Sequence, residues 1–143
     1  MNQLQIIASI FSFLFVMFSL WGRFDDNDRF YNKLLKKKNA IVAILIAILY
    51  AGIGNSLDFF LFRVNVQSGL YYVPFSFIIL LQIINRLCIL INDRKFYSIR
   101  SQIDMSANSR DFIDLFFTFL LIFLSITAPF TFMNYFINNR FFN

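Results

Sequence analysis

Histidine is missing from these 143 residues, and so is glutamate: all eight acids are aspartate. Without histidine there is no imidazole base, no histidine-ligated haem and no histidine metal site. A single cysteine, Cys88, excludes an intramolecular disulfide and a thiolate metal cluster. Neither a Walker loop nor a dinucleotide fingerprint is present, and no Ser-His-Asp set can be assembled. No catalytic, cofactor-binding or metal-binding residues are therefore expected. Charge is scarce too, at 15% of residues against about 25% in an ordinary soluble domain. Glycine (four) and proline (two) are few, which favours long helices over hairpins.

What is abundant is apolar: 59% of residues are hydrophobic and 22 are phenylalanine. A soluble domain of this size would have too little polar residue to cover its surface, whereas lipid solvates such faces directly. The apolar runs are continuous rather than alternating, which argues against a transmembrane β-barrel. The reading is an all-α integral membrane bundle forming a single domain over 1–143. It has four transmembrane helices, at about 4–21, 40–62, 71–91 and 112–135, joined by short polar loops. Each run is near the ~20 residues that cross a bilayer's hydrocarbon.

The second run, Asn39–Arg63, is expected to be the hub. At about 100° per residue, Ala43, Ala47, Ala51 and Gly54 fall on one stripe, which Asn55 and Asp58 continue. Small residues at this spacing let helix backbones approach closely in lipid, so the stripe predicts a packing or partner face. Asp58 should face protein or water, with Arg63 as its candidate mate.

In the first run, no Lys or Arg precedes Leu4 and no cleavage-type sequence surrounds Trp21, so a retained helix is expected rather than a signal peptide. Its Gln5, Ala8, Ser9, Ser12, Val16 and Ser19 share a small, polar face. Gly22–Lys38 reads as a polar connection whose later part forms a helix lying on the bilayer surface, with Phe30 and Leu34, and beside them Tyr31 and Leu35, on its apolar edge. Its Asp25-Asp26-Asn27-Asp28 cluster lacks the glycine and closing glutamate of a Ca²⁺ loop. Arg63–Leu70 reads as a tight connection turning at Ser68-Gly69. Tyr71 and Tyr72 are expected at the membrane interface, with Pro74 in the first turn of the third crossing. Pro129 should free the carbonyl of Ser125 in the last crossing, with Ser125 or Thr127 supplying the substitute bond.

Arg86 and Asp114 lie near the same end of adjacent crossings and are expected to form an intramembrane charge pair, either as registry glue or as a relay. Asp58 and Asp114 belong to opposite leaflets, so a paired-aspartate protease is not expected. Cys88 reads as a buried small hydrophobe, with lipidation as the alternative. Ten of the 13 basic residues fall in the connections 22–39 and 92–111. The positive-inside rule then places both termini on the non-cytoplasmic side of a bacterial or organellar inner membrane. The AT-rich codons of the frequent Phe, Ile, Asn, Lys and Tyr hint at an AT-rich genome, an organelle or a mobile element.

No set of basic and aromatic residues for nucleic-acid binding is present. The expected partners are the lipid bilayer and either another membrane protein or further copies of the chain. The leading functional expectation is a non-enzymatic subunit or modulator of a larger membrane complex, an immunity or exclusion protein against a foreign pore being a special case. The alternative is a homo-oligomeric channel or holin-like pore lined by Gln82, Asn85, Arg86, Asp114 and Thr118.

Overall fold

The computed structural model describes residues 3–21, 23–25, 28–61, 64–93, 95–96 and 109–140. It is a helical bundle. In chain order come α1 (Gln3–Trp21), strands β1 (Arg23–Asp25) and β2 (Asp28–Arg29), α2 (Phe30–Leu35) and α3 (Lys37–Leu61). A 3-10 turn (Val66–Tyr72), α4 (Val73–Asn92) and α5 (Ser109–Arg140) follow. Four segments, Gln3–Trp21, Lys37–Leu61, Val66–Asn92 and Phe112–Asn139, are helical, long and apolar enough to cross a membrane. Among the described residues the one β ladder is the short antiparallel pairing of β1 with β2, so the class is all-α.

The hub is not α3, as the small-residue stripe suggested, but α4. Phe77, Ile78, Leu81, Ile84 and Cys88 of α4 recur at three- and four-residue spacing and are fully buried. They form one core with Val16 and Leu20 of α1, Tyr31 and Leu34 of α2, Ala47 of α3, and Phe117 and Leu121 of α5. α4 packs against all four of these helices. By contrast, 22% of the apolar window of α3 is buried, against 33% in the Val66–Asn92 crossing. Small residues permit close approach, but bulky ones at core spacing gather neighbours, and α4 has the bulky ones.

Both connections hold surprises. The segment read as a surface helix starts with the β1–β2 pairing, and α2 then folds into the bundle, with Tyr31 and Leu34 in the main core. A bend at Lys36 separates α2 from α3, and the Asn39 side-chain amide donates to the Lys33 carbonyl across it (3.0 Å). The opposite connection is a 3-10 turn that enters the bundle and packs on α1, α3, α4 and α5. Asn65 caps it: its side chain accepts the Gln67 N–H (2.9 Å), while its own N–H donates to Ser68 Oγ (3.2 Å). Pro74 sits in the first turn of α4, where its missing N–H costs nothing. α4 ends at Asp93, whose left-handed conformation (φ 55°) turns the chain away from the helix.

Candidate functional site

The densest polar cluster lies at the end of the bundle that carries the 3-10 turn. Asp58, on the inward face of α3, is fully buried together with Gln5 of α1 and Ser68 of the turn. Its Oδ2 accepts from Gln5 Nε2 (2.9 Å) and from Ser68 Oγ (2.6 Å). Its Oδ1 accepts from the Tyr71 hydroxyl (3.3 Å). Gln5 Nε2 also donates to Asn65 Oδ1 (3.1 Å), and Ser12 Oγ donates to the Leu70 carbonyl (2.9 Å). One carboxylate thus ties α1, α3 and the turn together through side chains that all donate to it. Inside an apolar bundle these bonds have no water to compete with them, and losing one would leave a donor unmet. Arg63, the mate proposed for Asp58, lies outside the described residues. Tyr71 and Tyr72, expected as interfacial anchors, also bond within the bundle: Tyr71 to Asp58, and the half-buried Tyr72 to Asn55, whose Nδ2 donates to the phenol oxygen (2.7 Å).

The stripe on α3 faces this cluster and the core. Ala47, Ala51, Gly54 and Asp58 are buried, and Ala43 and Asn55 partly so. A methyl group on Gly54 would overlap the Tyr71 ring, so the close approach is real and is made within this chain. A second small pair, which the sequence reading passed over, points the other way. Gly52 and Ser56 are exposed, a methyl group on Gly52 would meet nothing, and the two share a shallow depression with Ile48, Leu49, Ile53, Leu57 and Phe60. Their four-residue spacing was visible in the sequence. What hid them was that Ala51 and Gly54, beside them in the chain, belong to the inward stripe.

Two further joints fix the helices. Pro129 cannot donate to the carbonyl of Ser125, and that carbonyl accepts instead from Ser76 Oγ of α4 (2.7 Å). The substitute donor is thus on the neighbouring helix, not Ser125 or Thr127, whose hydroxyls bond the Ile122 and Phe123 carbonyls. Beside it, a Cβ on Gly69 would press on the backbone of Pro129 and Phe130, so glycine there lets the turn lie directly on α5.

At the opposite end the expected charge pair is not formed. Asp114 is fully buried, and Cys88 Sγ lies 3.7 Å from its Oδ1 in the geometry of a weak hydrogen bond. Arg86 is exposed. Residues 86 and 88 are about 200° apart around a helix, so the α4 face that presents Cys88 to Asp114 turns Arg86 away. The neighbours thought to accompany Arg86 have other tasks. Gln82 Nε2 donates to the Leu34 carbonyl of α2 (2.7 Å), and Asn85 Oδ1 accepts the Phe96 N–H (3.0 Å). Thr118 Oγ1 bonds the Asp114 carbonyl within α5 (2.8 Å). Asp58 and Asp114 sit at opposite ends of the bundle and form no carboxylate pair. No group of three or more metal-ligating side chains gathers among the described residues.

Finally, a groove of about 750 Å³ opens between the last turns of α3 and the second half of α5. Its walls include Phe59, Phe132, Met133 and Phe136, and Asn55 and Tyr72 lie on its lining. No protein-family model matches the chain, and neither a curated protein nor a solved structure does.

Proposed function

We propose that this is a small, non-enzymatic membrane protein that acts by helix–helix contact with another membrane protein, as a subunit or modulator of a larger complex. The observation that carries the reading is the outward Gly52–Ser56 pair on α3. An exposed glycine inside a helix costs roughly 1 kcal/mol relative to alanine, and among the described residues no packing against Gly52 repays it. A second helix crossing at Gly52 and Ser56 would use the close approach they allow. The scarcity of catalytic residue types and the distance between the two buried aspartates support a non-enzymatic role.

Both termini belong on the non-cytoplasmic side of a bacterial or organellar inner membrane. Support comes from the ten basic residues of 22–39 and 92–111, since α2 and residues 95–96 both pack at one end of α4. Reporters fused after Lys38 and after Gln102 should read cytoplasm, and one after Asn143 the opposite side. A cytoplasmic C-terminal reporter would overturn this orientation. A homo-oligomeric pore has less support, because Gln82, Asn85 and Thr118 are bonded inside the bundle and offer little to line a path.

Affinity purification in mild detergent tests the main reading. A specific partner should co-purify with the unaltered protein, be lost with Gly52→Leu, and persist with Phe119→Leu on the exposed face of α5. A partner retained in all three sinks the α3 interface; a homo-oligomer with no second protein favours the pore.

A further inference from the structure

We infer that Arg86 and Lys95 together bind the phosphate of one anionic membrane lipid at the headgroup level of the bilayer. The inference depends neither on the partner interface proposed above nor on which side of the membrane this end faces. Its first support is where Arg86 stands. It lies about 9 Å of helix before the end of α4 at Asn92. It is exposed there, on a face shared with Ile83, Leu87 and Leu90, which are exposed as well. Such an apolar face meets lipid, and a cation on it is costly unless an anion meets it. Among the described residues no carboxylate bonds Arg86. Its long stem lets the guanidinium reach out to the headgroups, where phosphates are.

The second support is a fold-back that brings another cation beside it. After Asp93, left-handed at φ 55°, the chain doubles back along α4. Phe96 is buried, its N–H donates to Asn85 Oδ1 (3.0 Å), and its ring stands against Tyr31 with centroids 5.8 Å apart. Arg86 and Lys95 are the chain neighbours of the two residues in that hydrogen bond, so their Cα atoms are at most about 13 Å apart. Each side chain extends roughly 6 Å, so one phosphate between them is within reach of both. Lys95 is exposed, and among the described residues no carboxylate bonds it either. The pair matches a phosphate in kind: the guanidinium fork meets two of its oxygens, and the ammonium adds a point charge. Two cations also favour a lipid of net negative charge, because a choline lipid brings a cation of its own to the site.

The test reads lipid affinity by fluorescence quenching. In a Trp21→Phe background, Leu90→Trp places the sole indole one turn from Arg86 on the same face of α4. Val42→Trp places it instead on the exposed face of α3, close in the chain to the exposed Lys36, Lys37 and Lys38. Each purified protein is reconstituted at low salt in phosphatidylcholine vesicles containing a few mole per cent of brominated phosphatidylglycerol or brominated phosphatidylcholine. The Val42→Trp reporter measures the general attraction of the basic connections for anionic lipid. At the Leu90→Trp reporter the preference for phosphatidylglycerol should exceed that background about 25-fold, fivefold for each basic contact at the headgroups. Adding Arg86→Gln or Lys95→Gln should leave an excess of about fivefold, and adding both should leave none while the circular dichroism stays helical. Without any change to the pair, about 0.5 M NaCl should also shrink the excess. Equal preference at the two reporters overturns the proposal, since the attraction then belongs to the basic end as a whole. Absence of quenching at Leu90→Trp by either lipid overturns it too, since a partner protein then covers the pair. An excess that survives both glutamines, or one that salt leaves unchanged, does so as well. Glycerol phosphate should displace the lipid no better than NaCl of equal ionic strength; stronger displacement would make this a site for soluble phosphate and overturn the assignment to lipid.

Discussion

The two ends of the bundle are held by polar side chains in different ways. At the 3-10 turn, three side chains, Gln5, Ser68 and Tyr71, converge on the one carboxylate of Asp58. At the other end, beside the contact of Cys88 with Asp114, the connections are held through backbone: Gln82 holds the carbonyl of Leu34 and Asn85 holds the N–H of Phe96. The first arrangement depends on the identity of every member. The second depends on the amides alone, because any residue at 34, and any but proline at 96, offers the same backbone group. Concentrating three bonds on one atom pair makes the turn end brittle, while spreading single bonds over the connections makes the other end tolerant.

Mutations that separate the two ends should therefore rank in a definite order. Asp58→Leu is expected to be the worst, because it strands three donors at once. At about 1 kcal/mol or more for each unmet group, the loss should reach roughly 3 kcal/mol. Unfolding of purified protein by titration with denaturing detergent would measure it. Asp58→Asn should recover only part, since its amide nitrogen turns a donor toward donors. Equal stability of Asp58→Asn and the unaltered protein would end the account of a carboxylate that only accepts.

Gly54→Ala comes next, with an expected loss of about 1–3 kcal/mol from overlap with the Tyr71 ring. Gly52→Ala, two residues away on the open face, should instead be neutral or stabilise by up to about 1 kcal/mol. Thermal melts of the two in the same detergent make a direct pair. The same sign for both would mean that the inward and outward faces of α3 are not distinct.

Ser76→Ala should lower stability by about 1 kcal/mol, the scale of a hydrogen bond between membrane helices. In a Pro129→Ala background the same change should cost little, because residue 129 then regains an N–H for the Ser125 carbonyl. Additive losses in the double mutant would break this account of the α4–α5 joint.

Gln82→Leu should cost about 0.6 kcal/mol. Arg86→Leu should lie within about 0.5 kcal/mol of the unaltered protein, as an exposed change away from any joint. Its effect should simply add to that of Asp114→Leu. Partial rescue in that double mutant would restore the charge pair that the structure does not form.

Much of this was legible in the residues. Four apolar runs near the length of a crossing became four helices, because hydrocarbon demands continuous apolar surface and closed backbone hydrogen bonding. The face of α1 carrying Gln5, Ala8, Ser12, Val16 and Ser19 turned inward, since periodicity alone groups those positions. Periodicity could not choose a hub. It marks faces, and the centre is decided by which face finds the most neighbours, a property of the whole assembly. Nor could it show that Asp58 would meet Gln5, Ser68 and Tyr71, because those contacts depend on where the turn re-enters the bundle. Depth along the crossings groups Arg86 with Asp114, but depth says nothing about azimuth, and azimuth separates them.

The long reach of the Asp58 bonds bears on how the protein is made. Gln5 meets its carboxylate 53 residues further along the chain, and Ser12 meets the Leu70 carbonyl 58 residues on. At roughly 5–20 residues per second of synthesis, α1 emerges about 3–10 s before the acceptor of Gln5 exists. Through that interval the joint between Gln5 and Asp58 cannot close. The α1–α3 contact at this end is therefore made only after both crossings have been synthesised. Any slowing of translation between Gln5 and Asp58 delays that closure.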